Sequence, residues 1–132
     1  MKKIVFALSI IAALGLQATA SDDLKASMTE MRDGLQEIQD GFSYNNKDGI
    51  LKGIVKIEEA NNLFHNKASA TKYLPEKKKK FARVAYISTR TLNTSLEQMK
   101  EFVEAGSLMA ASESMSGVVK SCTRCHAIVR GW

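Results

Sequence analysis

The sequence predicts an all-α protein, an antiparallel up-down-up-down four-helix bundle. Apolar residues recur with helical spacing over four segments, the connections between these segments are short, and no stretch shows the alternation of a strand. A composition rich in Lys, Glu, Ala and Met, with one proline in 132 residues, also favours helix over sheet. Hydrophobic residues make up 45% and charged residues 25%, which is typical of a single globular domain.

The N-terminal segment has the features of a secretory signal peptide. Lys2 and Lys3 precede an apolar run from Ile4 to Leu16, and Ala18-Thr19-Ala20 has the small-x-small pattern of a cleavage site. The alternative, an N-terminal membrane anchor, is disfavoured because the apolar run is short for a span. We therefore expect cleavage after Ala20.

Cleavage would divide the chain into a signal peptide, residues 1–20, and a domain of residues 21–132. We expect export to the periplasm and no stable membrane insertion afterwards. The loss of two lysines lowers the formal net charge from +5 to +3. This excess is mild, so the sequence gives no reason to expect nucleic-acid binding.

The first two helices follow this segment. The first is predicted from about Asp22 to Phe42, because its apolar positions are separated alternately by four and three residues. These positions are Leu24, Met28, Met31, Leu35, Ile38 and Phe42. The second is predicted from about Lys47 to His65, with Asn45 or Asn46 as its N-cap.

The third helix is predicted from Pro75, a residue suited to the first helical position, to about Glu104. Gly106 marks its end, and the fourth helix runs from near Ser107 to about Arg130. In an antiparallel bundle, the start of the first helix, the end of the second, the start of the third and the end of the fourth meet.

A motif that carries chemistry lies near the C-terminus. Cys122-Thr123-Arg124-Cys125-His126 reads C-x-x-C-H, the attachment sequence of c-type haem. On a helix, two sulfurs at this spacing reach the two vinyl groups of one porphyrin, and the adjacent histidine binds iron from the proximal side. We expect one haem c, bound covalently through Cys122 and Cys125 and ligated by His126.

Three other roles for the two cysteines fit the sequence less well. A thioredoxin-like dithiol requires a βαβ context, which is absent from the pattern. A zinc site requires a fourth ligand, and His65 is the only other histidine. Two cysteines three residues apart in one helix are poorly placed to form a disulfide. The weakest alternative is therefore a helical bundle without haem that serves as an interaction module and is stabilised by a zinc ion or a disulfide.

This C-terminal motif, following an export signal and four helical segments, resembles the class II cytochromes c. These are cytochrome c-prime, its low-spin relatives and the related b-type periplasmic cytochrome, which lacks the cysteines. The resemblance covers residues 21–132. It implies that Arg130, four residues after His126, pairs with a haem propionate; the alternative is a favourable cation at a helix C-terminus. Val129 stands where the family often has an aromatic residue.

The segment DLKASMTEMRDGLQEI resembles the first helix of the b-type relative, where a methionine in the second turn binds iron opposite the histidine. The resemblance assigns this role to Met28. Met31 and His65 are competitors for the sixth position. In the gas-binding cytochromes c-prime this position is vacant, and Met28 would then serve only in packing.

The expected function is therefore that of a periplasmic mono-haem electron carrier with His126/Met28 ligation, and not of an enzyme. A thioether ligand stabilises ferrous iron, and two filled axial positions suit one-electron transfer. The alternative is a five-coordinate cytochrome c-prime that binds nitric oxide or carbon monoxide.

The sequence also predicts a charged surface, a possible dimer and the wall of the haem pocket. Lys77 to Lys80 are predicted to form either a solvated surface or a docking patch for an unidentified acidic redox partner. The family is also compatible with a homodimer. The predicted apolar wall of the haem pocket consists of Leu24, Met31, Phe81, Val84 and Val119.

Overall fold

A computed structural model describes residues 19–131, and these residues are almost entirely helical, with no strand among them. The all-α prediction is confirmed. The first 18 residues of the predicted signal peptide lie outside the described residues, as does Trp132. The described residues form five α-helices, one more than predicted: α1 Ala20–Ser43, α2 Lys47–Asn61, α3 Lys67–Tyr73, α4 Ala82–Glu104 and α5 Leu108–His126.

Three other helical stretches extend or connect the α-helices. A 3₁₀ turn, Asn62–Phe64, follows α2, and a 3₁₀ helix, Glu76–Phe81, leads into α4. A π-helical turn, Ala127–Gly131, continues α5 beyond His126. None of the helices in residues 19–131 is both long enough and apolar enough to cross a membrane.

Helix α1 begins two residues before its predicted start, because Thr19 and Asp22 form a capping box. The Thr19 hydroxyl accepts a hydrogen bond from the Asp22 backbone N–H at 3.3 Å, and the Asp22 carboxylate accepts one from the Thr19 backbone N–H at 3.2 Å. This reciprocal pair satisfies two donors at the start of the helix. The predicted cleavage after Ala20 would remove Thr19 and therefore this cap.

The third predicted helix is wrong at its start: the α-helix begins at Ala82, and residues Glu76–Phe81 form a 3₁₀ helix after Pro75. Successive lysines at the first turn of an α-helix would oppose its dipole. In a 3₁₀ helix, residues i and i+3 are eclipsed, and this spacing brings Lys79 to Glu76 in an ion pair of 2.6 Å.

Helix α3 was not predicted. Its start is capped by Asn66, whose side-chain oxygen accepts a hydrogen bond from the Ser69 N–H at 2.8 Å. Ala70 is fully buried, and Leu74, directly after the helix, is 5% exposed. A helix of seven residues is too short to be stable alone or to show a repeating apolar pattern, so packing decides its formation.

Helices α1 and α2 pack closely through glycines. A Cβ atom on Gly53 would lie 2.5 Å from the carbonyl oxygen of Gly34, and one on Gly41 would lie 2.8 Å from the backbone nitrogen of Ile50. Later residues of α1 thus face earlier residues of α2, so the two helices run in opposite directions. The predicted N-cap of α2 is confirmed at Asn46, whose side chain accepts a hydrogen bond from the Gly49 N–H at 3.0 Å.

The core has two parts. The main cluster draws its buried residues from the four long helices: Ile38, Ile50, Ile54, Ile57, Leu92, Leu96, Met99, Val103, Ala111 and Val118. A second cluster consists of Phe64, Ala70, Leu74, Ala82 and Ala85. Met28 and Cys125 pack against the second cluster, and Met31 packs against both. The second cluster therefore adjoins the segment that carries the C-x-x-C-H motif.

Candidate functional site

A cavity of about 710 Å³ lies beside the second cluster. Its walls come from four places that are distant in the sequence: the start of α1, the 3₁₀ turn after α2, residues 74–78 before α4, and the end of the chain from Cys125 to Arg130. The apolar lining residues are Leu24, Met28, Phe64, Leu74, Pro75, Cys125 and Val129. Its size and apolar lining are typical of a cofactor pocket.

The C-x-x-C-H motif occupies the last turn of α5. Cys125 and His126 line the large cavity. Together with Cys122, they also line a smaller inner cavity of about 40 Å³, which extends into the bundle. Both cysteines are half-buried free thiols, so each sulfur is available for a thioether bond. The helical spacing predicted for the motif is thus present. All three residues line the inner cavity, whereas Cys122 does not line the large one.

Burial governs the protonation of these three side chains. It raises the pKa of the Cys125 thiol to about 11, with a smaller contribution from Cys122, and it also raises the pKa of Cys122. Both groups are therefore thiols near neutral pH, whereas redox-active dithiols depend on a lowered pKa. Burial, assisted by the positive charge of Arg130, lowers the pKa of His126. The neutral imidazole that this favours is the form that binds metals.

The competing candidates for a sixth ligand differ in position. Met28 lines both cavities, and Met31 lines the inner cavity alone. His65 is exposed and lines neither; its ring nitrogens lie 2.7 Å from the Asn62 carbonyl oxygen and 2.6 Å from the Asn66 side-chain nitrogen. Of the three, Met28 therefore shares the most space with His126.

The rim of the large cavity is positively charged. Lys25, Lys77, Lys78 and Arg130 line it, while Glu76 is the only acidic residue among its described lining residues. The Glu76 carboxylate is already paired with Lys79 at 2.6 Å. An apolar cavity with such a rim suits a flat apolar molecule that carries carboxylates at one edge, because each part then meets a favourable partner.

The inner cavity contains polar residues that the sequence analysis did not select: Asn61, Ser88, Thr89 and Ser121. The Thr89 hydroxyl donates to the Asn61 carbonyl oxygen at 3.2 Å, and the Asn61 amide donates to the Asn93 side-chain oxygen at 2.8 Å. The available signal was Asn61 itself, a polar residue that continues the helical spacing of Ile50, Ile54 and Ile57 in the second predicted helix. Such a residue indicates a buried hydrogen-bond network.

The predicted pocket wall is correct for Leu24 and Met31, but Phe81, Val84 and Val119 line neither cavity. The ring of Phe81 contacts the ammonium groups of Lys78 and Lys80, which lie 5.7 and 5.1 Å from its centre, and Val119 is 43% exposed. The residues that form the wall instead are Phe64 and Leu74, whose positions depend on the turns after α2 and α3.

Within residues 19–131, no group of three or more His, Cys, Asp or Glu side chains is arranged to hold a metal ion.

No family model, curated protein or solved structure matches this chain.

Proposed function

We propose that this protein is an exported mono-haem c-type cytochrome that carries single electrons. Its class is that of the class II cytochromes c, with the four long helices forming an antiparallel up-down-up-down bundle and α3 as an addition. It is a carrier and not an enzyme, because its role is to accept and release an electron without forming or breaking substrate bonds.

The observation that carries this proposal is the position of the C-x-x-C-H motif. Cys125 and His126 lie in the wall of an apolar cavity of about 710 Å³ whose rim is cationic. The chemistry of this donor set fits haem c: two protonated thiols for thioether bonds, one neutral imidazole for iron, and cations for two propionates. A porphyrin requires all of these in one place, whereas a dithiol redox site or a zinc clip does not.

Haem, when bound, would supply the one-electron ferric/ferrous couple. The protein's contributions are then covalent retention by Cys122 and Cys125, proximal ligation by His126 and neutralisation of propionate charge by Arg130. Retention through thioethers suits this cavity, because the cavity is open at its rim and a cofactor held by ligation alone could leave it.

Met28 is the proposed sixth ligand. Its presence in the walls of both cavities, together with His126, supports this assignment over Met31, which lines only the inner one. Held by Met28 and His126, haem would have a higher reduction potential than with two histidines, and neither ligand position on the iron would be open. Filled positions favour electron transfer and disfavour chemistry with oxygen or peroxide.

The location and the partner follow from the same proposal. Export by the signal peptide to the periplasm delivers the chain to the compartment where c-type haem is attached. Lys77 and Lys78 line the cavity, so a docking patch formed by Lys77 to Lys80 would hold an acidic redox protein beside the proposed cofactor site.

Two measurements on the exported protein test the proposal. Haem staining on a denaturing gel should be positive, because only covalent haem survives denaturation; a negative stain would overturn the proposal. The absorption spectrum, ferric and dithionite-reduced, should be low-spin and barely altered by carbon monoxide. A high-spin spectrum that shifts with the gas would instead identify the alternative, a five-coordinate cytochrome c-prime that binds nitric oxide or carbon monoxide.

A further inference from the structure

Ser88, in the middle of the chain, has a buried hydroxyl that lacks a hydrogen-bond partner among residues 19–131. Its exposed fraction is 4%. Two other buried serines in helices, Ser95 and Ser121, do have partners: each hydroxyl donates a hydrogen bond to the carbonyl oxygen four residues earlier, at 3.1 and 2.9 Å. A buried hydroxyl without a partner is costly, so Ser88 needs an explanation.

Ser88 lines the inner cavity, and it has polar neighbours there. Asn61 and Thr89, which are 2% and 5% exposed, line the same cavity. The bond between them uses the single hydrogen of the Thr89 hydroxyl but leaves its lone pairs free, and the Asn61 amide keeps a second hydrogen. Unused donors and acceptors therefore converge on one small space.

We propose that the inner cavity binds one water molecule, held by Ser88 together with Asn61 and Thr89. Its volume of about 40 Å³ exceeds the roughly 10–15 Å³ that a cavity needs to hold one water, and it is far too small for a porphyrin. A buried water makes two to four hydrogen bonds, about the number that these side chains offer.

This water has a redox consequence, which rests on the proposed function. The inner cavity is also lined by Met28 and His126, the two proposed iron ligands. A polar molecule beside these ligands stabilises the more highly charged ferric state, since polarity and hydrogen bonding near haem tune its potential. The bound water therefore lowers the reduction potential, and Ser88 is a positioning residue for it.

Melting temperature tests the water site. Ser88→Ala should melt below the wild type, because it deprives the water of a partner. Ser95→Ala is the matched control, since Ser95 is a buried serine of the same helix that lines neither cavity; it should cost less. If Ser88→Ala instead melts at or above the wild-type temperature, the hydroxyl has no partner to lose and the water site is overturned.

The reduction potential tests the redox role. Ser88→Ala should raise the reduction potential. Each tenfold change in the ferric/ferrous equilibrium corresponds to about 59 mV. Ser88→Thr keeps the hydroxyl and should restore the wild-type value, while Ser95→Ala should leave it unchanged. An unchanged potential in Ser88→Ala would overturn this role. A negative haem stain would overturn the proposed function alone, because the order of melting temperatures would still decide the water site.

Discussion

Met28 of α1 and His126 of α5 line the same two cavities, although they belong to the first and last of the five α-helices in residues 19–131. Met31, one turn further along α1, lines only the inner cavity. The pairing of a thioether with an imidazole across one apolar space is the relationship on which the proposed redox chemistry depends. Met31 can serve as the control for Met28, and His65 as the control for His126.

Replacing Met28 by alanine should keep the covalent haem but make it high-spin and able to bind carbon monoxide, because the sixth position becomes open. Met31→Ala removes the same thioether from a residue of the same helix and should keep the low-spin spectrum. Absorption spectra with and without the gas decide the matter. The assignment is wrong if Met28→Ala leaves the spectrum unchanged, and Met31 takes its place if the two variants exchange behaviour.

Replacing His126 by alanine should abolish normal iron ligation and lower the melting temperature of the haem protein, while the thioether bonds keep the stain on a denaturing gel. His65→Ala is the control, because His65 is exposed and lines neither cavity. It should change neither the spectrum nor the melting temperature appreciably. A spectral change in His65→Ala would revive it as an iron ligand.

The raised pKa of Cys125, about 11 against an ordinary value of 9.0, predicts slow thiol chemistry in the haem-free fold. The thiolate is the reactive form, so near pH 8 alkylation of Cys125 in a Cys122→Ser variant should be slower than in denaturant. Burial, the larger cause of the raised pKa, remains in this variant, so the rate should still be increasing above the ordinary value of 9.0. Equal native and denatured rates would contradict the effect of burial. In the exported wild type, neither cysteine should react, since both are thioethers.

The close approach of α1 and α2 predicts a stability loss for Gly34→Ala. The added Cβ would lie 2.8 Å from the carbonyl oxygen of Gly53, so the two backbones would have to separate. Overpacking of this kind typically costs about 1–3 kcal/mol of unfolding free energy. Gly49→Ala is the control and should cost less, because the three atoms nearest to its Cβ, at 3.0–3.6 Å, belong to the Asn46 side chain and not to the backbone of another helix. Denaturant unfolding that gives equal losses for both would contradict the contact.

The cationic rim predicts a salt-dependent reaction rate. Lys77→Glu together with Lys78→Glu should slow oxidation of the ferrous protein by ferricyanide, a small anion, most strongly at low ionic strength. A Lys120→Glu plus Lys100→Glu variant makes the same charge change at exposed residues that do not line the cavity and should slow the reaction less. Equal slowing by both variants would mean that net charge, and not the rim, sets the rate.

Several features of the fold and site were predictable because they depend on neighbouring residues. The heptad spacing in α1, the cap at Asn46 and the turn at Gly106, whose φ is +77°, are local properties of the chain. The C-x-x-C-H motif is local too. Helix boundaries near Pro75 were not predictable in this way, because the choice between α and 3₁₀ winding there depends on how charges and Leu74 are accommodated.

The sequence by itself determined that the chain is helical and that Cys122, Cys125 and His126 form one chemical unit, since both are matters of short-range spacing. Only the tertiary structure decided what faces that unit. It placed Met28 and His126 in the walls of the same cavities, left His65 at the surface, and brought Phe64 and Leu74 into the wall of the large cavity. It also enclosed Ser88 with Asn61 and Thr89. These contacts join residues distant in sequence, and they exist because helices must pack together to bury their apolar faces.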